Sequence, residues 1–133
     1  MSTYGFSPCV DLALHKDWDL EFEGNFSRWN ISHEKNLYFA GVNTNFLFKP
    51  FQWTWGSLFL LAGGGLGYDN AGNRVREIGD SHLGGILQTG AGIYYDLGNG
   101  WAFRGEYRFY HISEPFRRDE GLNTHIFLLG FSF

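Results

Sequence analysis

The sequence predicts an all-β, up-and-down antiparallel transmembrane β-barrel, and three observations predict it. Apolar and polar residues alternate with a period of two along most of the chain, most regularly from Trp18 to Ser27. Aromatic residues make up 20%, with 14 Phe and 19 Gly against 3 Pro, which suits strands and tight turns because Gly and aromatics are poor helix-interior residues. Polar connections alternate between short ones, near 15–17, 50–52 and 98–100, and long ones, at 30–36, 68–82 and 114–122. Barrels in outer membranes show that asymmetry, with short turns on the periplasmic side and long loops outside.

The elements follow in order. In Tyr4–Leu14, Tyr4, Phe6, Pro8, Val10, Leu12 and Leu14 share one face, and His15, Lys16 and Asp17 turn the chain. Trp18–Trp29 sets Trp18, Leu20, Phe22, Gly24 and Phe26 against Asp19, Glu21, Glu23, Asn25 and Ser27, and Asn30–Asn36 reads as a polar loop. Leu37–Lys49 aligns Tyr38, Ala40, Val42, Thr44, Phe46 and Phe48, before Pro50, Phe51 and Gln52 turn into a less distinct strand, Trp53–Gly67. After the long loop Asp69–Ser81, Leu83–Leu97 resumes the pattern and Gly98, Asn99 and Gly100 make a tight turn.

Trp101–Ser113 is the most informative strand. Phe103, Gly105, Tyr107, Phe109, His111 and Ser113 fall on one face, and Arg104, Glu106 and Arg108 on the other. A charged loop, Glu114–Leu122, leads to a last strand, Asn123–Phe133, with Asn123, His125, Phe127, Leu129, Phe131 and Phe133 aligned.

Strands of roughly 10 to 13 residues match the span of a tilted membrane strand. The C-terminal Phe133, preceded by apolar residues at every second position, resembles the signal read by barrel-assembly machinery. About seven strands are readable over a single domain, 1–133, whereas single-chain bacterial barrels have an even number. With His111 at the outer end of an upward strand, Tyr4–Leu14 runs downward, so the absent strand is expected before Met1 or as a short eighth one within the loops. No basic-then-apolar leader follows Met1, which fits a mature, trimmed or N-terminally incomplete chain.

Composition excludes several classes. A formal charge of −4 offers no basic patch for nucleic acid. Cys9 is alone, so neither a disulfide framework nor a thiolate metal site is expected, and His15, His33 and His82 lack metal-ligand spacing. Apolar runs are too short for a spanning helix, and Leu58–Leu66 is broken by Gly63, Gly64 and Gly65. GGGLGY at 63–68 precedes no helix and is not a dinucleotide fingerprint. Asp19, Glu21 and Glu23 form a carboxylate row, read as a hydrated barrel interior paired with Arg104 and Arg108 rather than as glycosidase acids. Alternation alone leaves open a soluble lipocalin-like carrier, whose apolar face would point inward.

One constellation suggests chemistry. His111 and Ser113 lie two apart on one face, about 6.6 Å in Cα terms, a gap an imidazole can cross to a hydroxyl. An antiparallel neighbour would bring Asn123 and His125 to the same end of that face, where a third polar group can hold the imidazole tautomer. A lone His-x-Ser is a weak motif, and from spacing alone the same residues read more readily as a polar rim at headgroup level than as a catalytic pair.

GEYRFYHIS at 105–113 and GLNTHIFLLGFSF at 121–133 resemble the C-terminal signature of the lipid A 3-O-deacylase (PagL) or acyloxyacyl hydrolase family. GGGLGY and LGGILQTGAGIYYDLGNGW at 83–101 are compatible with it more loosely. The resemblance implies an eight-stranded barrel in the outer membrane of a Gram-negative bacterium. It implies removal of an ester-linked acyl chain from lipid A of lipopolysaccharide, without metal or cofactor, by a Ser-His-acid triad on the lipid-facing surface. Carried over, Ser113 is the nucleophile, His111 the general base, and Asn123 stands at the acid position, with Glu120 a possible substitute. Asparagine can orient an imidazole but cannot stabilise the imidazolium as a carboxylate does. Glu114 occupies the oxyanion region, where the family has an asparagine, and a carboxylate there has the wrong sign for a developing oxyanion. A catalytically inactive structural or adhesion barrel is therefore the alternative to the esterase.

Overall fold

The computed structural model describes residues 2–32, 35–69, 83–113 and 122–133. They form β1 (Ser2–Phe6), β2 (Cys9–His15), β3 (Trp18–Ser32), β4 (Lys35–Trp53), β5 (Gly56–Asp69), β6 (Leu83–Gly98), β7 (Trp101–Ser113) and β8 (Leu122–Ser132). All pair antiparallel in one curled sheet, in the order β1-β3-β4-β5-β6-β7-β8, with β2 also on β3.

Several strand bounds differ from the sequence expectation, each for a local reason. The expected Tyr4–Leu14 strand is broken at Ser7 and Pro8, because proline has no N–H to give the ladder; the Pro8 carbonyl still accepts from Gly24 N at 2.9 Å. Asn30–Asn36 is mostly strand rather than loop, since Asn30 pairs with Asn36 across a close hairpin. The chain does not turn at Pro50–Gln52: β4 runs to Trp53 and turns at Thr54–Trp55. Its register shifts between Phe48 and Phe51, so Pro50 sits in a bulge where a missing donor is tolerated. Gly98, Asn99 and Gly100 do make the expected tight turn, all three at positive φ (86°, 55° and 80°).

Facing residues are sorted by polarity. Outward lie Phe22, Phe46, Leu60, Tyr107, Phe127 and Leu129, all exposed, while Glu21, Glu23, Asn45, Gln88, Arg104 and Arg108 are buried inside. That is the arrangement of a barrel in lipid, and it corrects the lipocalin alternative, whose apolar side would face the centre.

The carboxylate row is paired as expected, and its members are buried. Arg104 Nη1 lies 2.5 Å from Glu21 and its Nη2 2.8 Å from Glu106. Arg108 pairs with Glu23 and Glu106, both at 2.5 Å, and Asp19 pairs with Lys49. Above this polar belt Phe39, Ile86 and Tyr110 cluster; below it Leu47, Phe59, Leu61 and Tyr94 do the same. Gly92 leaves room for the Phe59 ring, which a Cβ there would overlap. The ion pairs join β3 to β7, strands that share no ladder, and so hold the sheet in its curl.

Because every pairing is antiparallel, the two edges, β1–β2 and β8, run in the same direction. Among the described residues no ladder joins them. A cleft of about 610 Å³ separates Tyr4–Ser7 from Thr124–Leu129.

Candidate functional site

The end of the sheet that carries the longer connections, 70–82 and 114–121, also carries the residues singled out for chemistry; at the other end the turns at 16–17, 54–55 and 99–100 are two residues each. Outward alternation in β7 and β8 brings two odd-numbered rows side by side, with His111 directly opposite Asn123 and Phe109 opposite His125. The His111 Nδ1 to Asn123 Oδ1 distance is 2.6 Å, with His111 half-buried and Asn123 exposed. An amide oxygen only accepts, so Nδ1 carries the proton. In the neutral ring Nε2 is then the basic nitrogen, the tautomer a general base requires.

Ser113 closes β7, its backbone paired with Gly85. Its side chain lies outside the described atoms, as do Glu114 and Glu120 altogether, so the expected hydroxyl–imidazole contact falls there too. His33 and His82 are likewise outside the described residues, and His15 ends β2 at the far end.

Sequence reading placed His125 beside Asn123 but missed its partner. The Tyr107 hydroxyl hydrogen-bonds His125 Nδ1, and the two rings stack with centroids 5.7 Å apart and 22° between their planes. Phe109 meets the same imidazole edge-on at 5.3 Å. Tyr107 and His125 are diagonal neighbours across the ladder, within reach of aromatic side chains, a relation that appears only once the register is known. The outer wall thus carries a short polar path, Tyr107–His125 and then His111–Asn123, rising toward the rim.

Cys9, Asp11 and Glu21 bring three potential ligand atoms within 4.8 Å of one another. The Arg104 guanidinium stands against the same group, 2.5 Å from Glu21 Oε2 and 3.8 Å from Cys9 Sγ, and supplies the positive charge those carboxylates face. A soft thiol beside two hard carboxylates is also a mixed set with no clear metal preference. At the opposite rim the exposed Phe133 ring lies 5.1 Å from Trp101, in an aromatic girdle.

A family model described as "Outer membrane protein beta-barrel domain" matches residues 3–133. No curated protein matches the chain. No solved structure matches it either.

Proposed function

The chain belongs to the outer membrane protein β-barrel domain family and resides in the outer membrane of a Gram-negative bacterium; on that premise we propose that it is an ester hydrolase acting on lipid A. The observation that carries the reading is the His111–Asn123 hydrogen bond on the lipid-facing wall, two residues from Ser113. An imidazole held with Nε2 basic, at the depth where a lipid headgroup meets its acyl chains, suits an ester too apolar to leave the membrane.

In the proposed reaction Ser113 Oγ attacks the ester carbonyl while His111 Nε2 takes the hydroxyl proton. His111 then returns that proton to the departing sugar oxygen, leaving the acyl group on Ser113. Water, deprotonated by the same imidazole, releases the fatty acid and restores the serine. Asn123 orients the ring throughout. Every proton is handled by His111 and water, so the cycle balances without metal or cofactor. The resemblance further suggests that barrel-assembly machinery inserts the chain through Phe133.

Mass spectrometry of lipid A from a Gram-negative host expressing the protein tests the reading. Loss of one ester-linked acyl chain, absent in Ser113→Ala and His111→Ala, is the expected result. Unchanged lipid A with folded wild-type protein would overturn it in favour of an inactive structural barrel, to which Asn123 in place of a carboxylate also points.

A further inference from the structure

Arg28 is out of place on an oily wall. Among the described strand residues in the outward register it is the one Lys, Arg, Asp or Glu, the others there being apolar, aromatic, small or neutral polar. A cation on the lipid side is costly at mid-membrane and tolerated only near the interfaces. The position agrees: Arg28 lies near the end of β3 that leads to the outer rim, like Tyr4 near the start of β1.

Tyrosines flank it in register. Tyr4 and Tyr38 are its direct cross-strand partners on β1 and β4, and Tyr68 pairs with Ala40 one strand further. The guanidinium lies 6.0 Å from the Tyr4 ring centre and 5.7 Å from that of Tyr38, and Nη1 donates to the Tyr4 hydroxyl at 3.0 Å. These contacts orient the cation without neutralising it. No carboxylate among the described residues pairs with it, and its Nε has no hydrogen-bond partner.

Arg28 heads a cleft of about 640 Å³ on this wall. Its rim-side lining is Arg28, Tyr38 and Tyr68; toward mid-membrane it is lined by Phe6, Phe26 and Ala40, with Phe6 stacked on Phe26 at 5.2 Å. A site of this size takes a small-molecule ligand, or a headgroup and the first part of a chain. Its polarity is graded like a lipid, charge toward the rim and apolar surface below.

We propose that this cleft binds a lipid of the outer leaflet through a phosphate monoester headgroup, the phosphate on the Arg28 guanidinium and an acyl chain along Phe26 and Ala40. Arginine suits phosphate because its planar fork offers several donors at once to tetrahedral oxygens. The Tyr4 hydroxyl, which accepts from Nη1, keeps its own proton for a phosphate oxygen. The site is independent of the esterase reading: it needs the membrane but neither Ser113 nor His111.

The test uses the whole chain in uncharged maltoside micelles, which carry no phosphate, and follows the Arg28 Nε–H resonance by NMR, assigned by its loss in Arg28→Lys. Dioleoyl phosphatidic acid is expected to shift that resonance saturably, while dioleoylglycerol and inorganic phosphate at equal concentration leave it in place. Arg28→Gln, with an unchanged circular dichroism spectrum, should retain phosphatidic acid on the order of tenfold more weakly by native mass spectrometry. No shift with phosphatidic acid overturns the proposal. An equal shift with dioleoylglycerol would reduce the cleft to chain packing, and an equal shift with inorganic phosphate would make it a free-anion site; either result also overturns it. Because no readout is catalytic, failure here leaves the esterase untouched, and failure of the esterase leaves this site standing.

Discussion

Asn123 faces His111 where a carboxylate would give more, and that one difference sets a measurable expectation. Its Oδ1, 2.6 Å from Nδ1, can fix the tautomer, but it offers no charge to the imidazolium formed as Ser113 attacks. Asn123→Asp should therefore raise the rate of acyl release, on the order of tenfold or more, in a single-turnover assay on lipid A; a fall would contradict the role assigned to Asn123. Glu114→Asn should raise it as well, by removing a charge of the wrong sign from the oxyanion region and adding a donor. The His111–Asn123 pair was legible beforehand because strand alternation and an antiparallel neighbour are enough to align two odd-numbered rows. The Tyr107–His125 bond and the Tyr4–Arg28–Tyr38 row were not, since each depends on which residue stands opposite or diagonal to which.

At the level of the strand, the period of two carried nearly everything, and its failures fall where proline or asparagine mislead. Pro8 reads as one more strand residue and Pro50 as a turn; the first interrupts an edge strand and the second hides in a bulge, so one expected strand splits and another outlasts its expected end. Asn30 and Asn36 are polar enough to suggest a loop, yet their backbones pair as the two arms of a hairpin. The outward row of β4 makes the polarity testable. Phe46, half exposed and mid-strand, should not accept a charge: Phe46→Arg is expected to lower stability by about 2–4 kcal/mol in urea unfolding from lipid vesicles. An unaffected midpoint would mean that this row does not meet lipid.

The whole molecule depends on its polar belt, because Arg104 and Arg108 tie β7 to the acids of β3 across the interior. Removing one ion strands its partners in a packed space, so Arg108→Met should cost about 3–5 kcal/mol, and adding Glu23→Gln should restore part of that loss. A double variant no more stable than the single one would show the belt to be dispensable. The pairing was legible from the charges on opposite strands; the apolar plugs above and below it were not, because nothing in the alternation says how far inward Phe39, Phe59 or Tyr94 reach. Edge polarity bears on the expected even strand count. With β1–β2 and β8 running the same way, any strand that paired antiparallel with both would run opposite to them.

The orientation of the two faces underlies the lipid-facing site, the esterase proposal and the Arg28 cleft alike. Nitroxide labels placed singly at Val42, Phe46, His111 and Leu129, and at Asn45 and Gln88, in a Cys9→Ser background in vesicles, report it most directly through collision with oxygen and with a water-soluble nickel chelate. The first group should favour oxygen strongly, least so at His111 near the rim, while Asn45 and Gln88 are shielded from lipid. Oxygen access concentrated at Asn45 and Gln88, with the chelate reaching Val42, Phe46 and Leu129, would contradict the account.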